Sequence, residues 1–171
     1  MPTFPPWMVA VNTGDKIISL KGLASWREQV RLARRTLVVT NGCFDVLHAG
    51  HVTYLEAARN QGDLLLVGLN NDASVRALKG KGRPVNPEHD RALVLAALAL
   101  VDAVCIFPDT RASRFLRLAQ PDVYVKGGDY TLETLDQEER RTVECAGGRI
   151  VIVQLVPGKS TTVLLEQIAR L

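Results

Sequence analysis

Thr36-Leu37-Val38-Val39-Thr40-Asn41-Gly42-Cys43-Phe44-Asp45-Val46-Leu47-His48-Ala49-Gly50-His51 decides how this chain reads. A β-branched, apolar run stops at Asn41-Gly42, a short loop follows, and two histidines bracket Ala49-Gly50 before a helical pattern begins. A continuous apolar run of this length reads as a strand buried on both faces of a parallel sheet. At its carboxyl end the next helix opens. Free backbone N–H groups and the positive end of the helix dipole suit an anionic ligand there. His48 and His51 stand at that point and can donate to phosphate oxygens. The stretch predicts a phosphate-handling site on the edge of a parallel sheet.

Outward from it, strands and helices alternate. Apolar runs at 64–69, 103–107, 123–125 and 150–155 add four strands to the one at 37–40, giving five. Helical patterns fall at 26–34 (with Ser25 as cap and Glu28 three residues on), 51–60, 73–78, 88–100, 111–119, 135–145 and 163–170. The helix after Pro87 is apolar nearly all round and should bury more than one side, against a thick core or a second subunit. The alternation predicts a doubly wound, Rossmann-like α/β fold with helices on both faces. Prolines at 2, 5 and 6 make residues 1–21 an extended N-terminal arm, and residues 22–171 read as a single domain.

A chain of 171 residues, 47% hydrophobic, has the length and composition for one buried core. A net charge of +3, with basic residues spread among acidic ones, does not argue for nucleic acid; Arg111, Arg114 and Arg117 are the local exception. Cys43, Cys105 and Cys145 form neither a disulfide framework nor a zinc pattern. No secretory signal is evident, and the apolar run from Ala92 to Val101 is about half of what a membrane span needs. A cytoplasmic protein is expected.

Four polar, glycine-containing segments fall at the carboxyl ends of the predicted strands: 41–51, 70–72 with 79–84, 126–130 and 157–162. Ligands bind there in open α/β sheets, so the segments predict one composite site. Each also has a plain structural reading: histidines near a helix start, a solvated basic loop at Lys79-Gly80-Lys81-Gly82-Arg83, a tight turn at Lys126-Gly127-Gly128-Asp129, and an N-cap at Ser160-Thr161-Thr162. Two histidines without a third ligand argue against zinc. Gly158-Lys159-Ser160 lacks the earlier glycine of a Walker loop, and Gly42 opens no Gly-x-Gly-x-x-Gly fingerprint.

Gly42 to His51 resembles the signature of the cytidylyltransferase-like nucleotidyltransferases, and Ser160-Thr161-Thr162 resembles their second motif. From about Asp15 onward the chain is similar to the adenylyltransferases of ADP-heptose biosynthesis, through Thr40 to Asp45, Leu69 to Val75, Gly82 to Asn86 and Val125 to Tyr130. The resemblance implies transfer of AMP from ATP to D-glycero-D-manno-heptose 1-phosphate, with Mg²⁺ carried on the triphosphate rather than by side chains. It implies a surface-glycan role and a separate sugar kinase upstream; a homo-oligomer, a dimer, is expected, with no nucleic-acid or membrane partner. His48, His51 and Lys79 would be catalytic. Asn41, Gly42, Cys43, Phe44, Gly50, Lys126, Gly128, Asp129, Ser160, Thr161 and Thr162 would contact nucleotide or phosphate. Asp45, Asn70, Asp72, Arg83 and Arg91 would bind the acceptor. Relatives that use CTP on glycerol phosphate carry Arg-Thr-Glu-Gly-Ile before the hydroxyl run; Leu155 to Lys159 stands here, with Lys159 as a substitute cation. The alternatives are another sugar or polyol phosphate, CTP as donor, or a nucleotide-binding module without turnover.

Overall fold

The computed structural model describes residues 12–128, 130–154 and 161–170. A 3-10 turn at Thr13–Lys16 leads into β1 (Ile17–Ile18). There follow α1 (Leu23–Leu32), β2 (Leu37–Gly42), α2 (Ala49–Arg59), β3 (Leu64–Asn70), α3 (Asp72–Lys79), α4 (Glu88–Ala97), β4 (Ala103–Phe107), α5 (Ser113–Ala119), β5 (Val123–Gly127), α6 (Gln137–Cys145), β6 (Arg149–Val153) and α7 (Thr161–Ile168). The strands form one sheet in the order β1-β4-β3-β2-β5-β6, and every pair is parallel.

This is the doubly wound α/β architecture that the alternation predicts, with six strands rather than five. The additional strand, β1, lies inside the segment read as an arm. Its two residues pair with Val104 and Cys105 at the sheet edge, too short a run to produce a periodic signal. Helix α1 begins at Leu23 after Gly22, so Ser25 is inside the helix and does not cap it; Glu28 instead faces Arg31.

Three aspartates clasp the amino edge of the sheet, each standing just before a strand. Asp63 accepts the Thr36 N–H at 2.8 Å, Asp102 accepts that of Leu65 at 2.7 Å, and Asp122 accepts that of Leu37 at 2.7 Å. These bonds satisfy backbone donors that the ladder leaves over. The Thr36 N–H holds the Asp63 carboxyl below its usual range. Arg27, buried in α1, ties the same edge to Gln120 O and to Asp122.

The core has two layers. Leu23, Val30, Val39, Phe115, Tyr124 and Val143 pack between the sheet and α1, α5 and α6. Val38, Leu55, Val67, Leu95, Val104 and Val125 pack between the sheet and α2 and α4. Helix α4 buries one side only, through Arg91, Ala92, Leu95 and Ala96, and leaves Leu93 and Val94 about half exposed. The expectation of burial on more than one side therefore fails within the chain. Among the described residues no helix is long and apolar enough to cross a membrane.

Gly68, in the middle of β3, faces Phe115, whose ring stacks on Phe107 at 5.2 Å. A Cβ at position 68 would lie 2.5 Å from the Phe115 ring, closer than packed atoms tolerate. Gly68→Ala is expected to lower stability by about 1–3 kcal/mol, the usual cost of overpacking a full core, measured by denaturant unfolding.

Candidate active site

The site begins where two strands part. β2 and β5 are paired only at Val38 with Val123 and Val39 with Tyr124. Beyond that, β2 stays with β3 up to Gly42, and β5 stays with β6 up to Gly127. This is the point at which the strand order reverses, where a crevice opens in sheets of this class. Side chains bridge the gap. The Thr40 and Tyr54 hydroxyls lie 2.6 Å apart, and Tyr54 donates to Val125 O at 3.0 Å. On the other face Tyr124 O–H lies 2.6 Å from Asn41 Oδ1, and Lys126 Nζ donates to the same oxygen at 3.2 Å. A cavity of about 620 Å³ fills the opening.

His48 is the N-cap of α2, in extended conformation, and His51 lies in the first turn. Their rings are 4.0 Å apart between centroids, and the Phe44 ring lies 5.5 Å from His51. Phe44 holds this position from a left-handed backbone, φ 42°, a conformation that costs a bulky residue energy and recurs at functional sites. Gly42 makes room for it: a Cβ there would stand 3.1 Å from the Phe44 ring. His51 Nδ1 faces the His48 N–H at 3.4 Å, which leaves Nε2 to carry the proton in the neutral ring. Burial, and secondarily the charge of His48, push the His51 pKa down to about 4. The free site therefore presents His51 near neutral pH as an uncharged donor.

Asp45 organises the loop beyond α3. It accepts Arg83 Nη1 at 2.8 Å and the N–H groups of Val85 and Asn86 at 2.8 and 3.0 Å. Arg91 fastens the same region from α4. It donates to Asn86 O, Cys43 O, Asn70 O and Asp72 Oδ1 at 2.6–2.9 Å.

Of the residues expected from sequence, Asn41, Gly42, Cys43, Phe44, Asp45, His48, Gly50, His51, Asn70, Lys79, Arg83, Lys126, Thr161 and Thr162 line this one cavity. Arg91 and Asp72 do not. The Arg91 side chain is fully buried and bonded to four protein acceptors, so in this structure the pair stands behind the wall. Gly128 also stands outside the wall, where Gly127 takes its place. Asp129, Lys159 and Ser160 lie outside the described residues. Thr161 Oγ1 donates to Val46 O at 3.3 Å, tying the start of α7 to the histidine loop. Lys126 is largely buried and lies over the Tyr130 ring at 4.7 Å, whereas Lys79 is exposed at the end of α3. Burial pushes the Cys43 thiol up, against the opposing pull of Lys79 and Arg91.

Sequence reasoning missed Tyr54, Thr110, Arg111, Tyr130, Leu135, Asp136 and Glu139, which also line the cavity. Tyr54 enters from α2, beside the histidines, and Tyr130 from the turn after β5; the others come from the opposite face of the sheet, by way of the β4–α5 turn and the start of α6. Arg111 and Arg117, read as one basic face, are engaged by Asp136 and Glu138. Among the described residues no group of three or more His, Cys, Asp or Glu is placed to hold a metal ion.

A doubly wound sheet with helix N-termini, imidazoles and lysines around its switch point defines an α/β protein with a site suited to a polyanion. The family model described as cytidylyltransferase-like matches residues 39–167, and the chain belongs to that family. It is similar to the bifunctional protein HldE of Mesorhizobium japonicum, 54% identical over 148 residues that make up 86% of this chain and 29% of that protein. The bifunctional protein HldE of Geotalea uraniireducens is 52% identical over 157 residues, 92% of this chain and 32% of that one. The chain thus spans about three tenths of the length of these curated relatives. The crystal structure of the lipopolysaccharide core biosynthesis protein from Thermoplasma volcanium matches with a TM-score of 0.59 at 25% identity, covering 71% of this chain and 97% of that one.

The depressed His51 pKa has a signed consequence. As pH falls below the ordinary histidine value of 6.5, the unfolded chain takes up the proton first, so this residue's contribution to stability declines between 6.5 and about 4. An anion in the cavity favours the charged ring and should raise the midpoint. NMR titration of the His51 ring is expected to give a midpoint near 4 in the free protein and a higher one in the presence of inorganic triphosphate. A free-protein midpoint at 6.5 would show that the ring is solvated.

Proposed function

We propose that this chain is a nucleotidyltransferase that moves AMP from Mg-ATP to D-glycero-D-manno-heptose 1-phosphate, giving ADP-heptose and pyrophosphate for surface-glycan synthesis in the cytoplasm. The carrying observation is the His48–His51 pair at the N-terminus of α2, beside the parted strands β2 and β5. The reading draws its substrates from the likeness to the adenylyltransferases of ADP-heptose biosynthesis. The identity of about half over most of the chain to HldE proteins supports it, as does the likeness to a lipopolysaccharide core biosynthesis protein. A sugar kinase would supply the acceptor.

The acceptor phosphate attacks the α-phosphorus in line, and the P–O bond to pyrophosphate breaks. The nucleophile is already an anion, so no covalent enzyme intermediate is needed. The protein must hold two polyanions together and stabilise charge as it moves onto the leaving group. The Nε2–H of His51 and the N-terminus of α2 serve the leaving pyrophosphate. Lys79, exposed and flanked by glycine, screens the phosphates as they approach. Thr161 and Thr162 hold the triphosphate from α7. The cationic and N–H-rich wall suits a triphosphate, and Mg²⁺ arrives as part of that substrate.

A panel of sugar 1-phosphates, with ATP or CTP as donor and pyrophosphate release as readout, tests the reading. The heptose 1-phosphate with ATP is expected to give the highest kcat/KM; a preference for CTP or for glycerol 3-phosphate would overturn it. His51→Ala should lower kcat by about a hundredfold or more, as for a lost oxyanion donor. Near-normal turnover of that variant would remove His51 from the mechanism.

A further inference from the structure

Glu139 is a carboxylate built into the wall of the cavity, 5% exposed, on the face of the sheet opposite the histidines. Oε1 accepts the Ala112 N–H at 2.7 Å, and Oε2 lies 2.8 Å from the Tyr124 hydroxyl. It forms no ion pair among the described residues. A carboxylate offers about four lone-pair positions, and two are used here. Burying one without a cation or a full set of donors is costly, unless donors arrive with a ligand.

Tyr124 sharpens the point. Its hydroxyl has a single proton and two acceptors within reach, Glu139 Oε2 and Asn41 Oδ1. Asn41 Oδ1 also takes Lys126 Nζ, which fixes that end of the amide as the acceptor. Glu139 and Asn41 therefore compete for one proton. An O–H donor from the cavity would satisfy Glu139 and release the Tyr124 proton to Asn41, at the end of β2 that leads into the histidine loop.

We propose that Glu139 is a specificity-determining residue that accepts a hydroxyl group of a substrate's sugar, and that Tyr124 passes this engagement on to Asn41. The shared chemistry is a polyol, which either the ribose of the nucleotide or the acceptor sugar supplies. A ligand whose phosphates sit on α2 and which crosses the cleft between β2 and β5 brings its far end to Glu139. The inference rests on the nucleotidyl-transfer reading above, with a separable test.

Steady-state kinetics of the wild type and Glu139→Gln, with thermal unfolding as a folding control, provide it. The variant is expected to raise the KM of one substrate about tenfold or more relative to the other, the scale of a lost hydrogen bond to a charged group. A selective rise for the sugar 1-phosphate assigns the hydroxyl to the acceptor; a selective rise for ATP assigns it to the ribose. In either case the analogue lacking that hydroxyl should be penalised in the wild type and not further in Glu139→Gln. Tyr124→Phe should reproduce part of the effect. Equal changes in both KM values, or none, would overturn the inference while leaving the transferase reading intact. A wild type that releases no pyrophosphate with any acceptor would overturn both.

Discussion

The parting of β2 and β5 is the constraint from which the rest of the site follows. Had their ladder continued past Val39 and Tyr124, the residues from Thr40 to Gly42 and from Val125 to Gly127 would have closed the sheet where the cavity now lies. Opening it leaves backbone groups in need of partners, and buried groups of that kind are rarely left alone. The remedy is side-chain chemistry. Tyr54 satisfies Val125 O from one face, and on the other Tyr124 and Lys126 bridge the gap to the Asn41 side-chain oxygen. Each strand also keeps a full ladder on its outer side, with β3 or with β6. The gap is therefore a wedge between two well-paired half-sheets.

The two edges of the sheet divide the work. At the amino edge, Asp63, Asp102 and Asp122 hold strand N–H groups, away from any ligand. At the carboxyl edge, Arg91 gathers Cys43, Asn70, Asp72 and Asn86 around one guanidinium, and Asp45 gathers the loop of Arg83 to Asn86. A planar fork that bonds four acceptors fixes their relative positions better than a lysine could. The cavity wall is thus held from behind by Arg91, and braced within the wall itself by the Asp45–Arg83 pair.

The alternation of elements and the placing of His48 and His51 at the start of α2 were legible because local signals carried them. Buried parallel strands give apolar runs, and the loop from Asn41 to His51 follows directly in the chain. Strand β1 was not legible, because two residues give no period and only the partner Val104–Cys105 makes them a strand. The aspartate before each of β3, β4 and β5 was visible, but its meaning lay in a donor on the neighbouring strand. Glu139 and Thr110 were missed for the same reason: they reach the cavity from α6 and from the β4–α5 turn, far along the chain from the histidines. Sequence shows the charge of Arg91 but not the four acceptors that hold it behind the cavity wall.

The electrostatics of the cavity bear on how such a site would favour a transition state over a ground state. Several of its cations are already engaged, Arg83 by Asp45 and Lys126 by Asn41, and burial keeps His51 uncharged in the free protein. A site of fully exposed cations would bind a polyanion tightly before reaction and gain little at the barrier, because uniform binding does not raise kcat. A neutral imidazole in a sheltered position behaves differently. Its hydrogen bond strengthens as charge accumulates on the oxygen it faces, and the same charge stabilises a proton on the ring. On the proposed role of His51, the burial that lowers its pKa in the free protein would let its interaction grow along the reaction coordinate. Phe44, strained and packed against that ring, is part of the shelter.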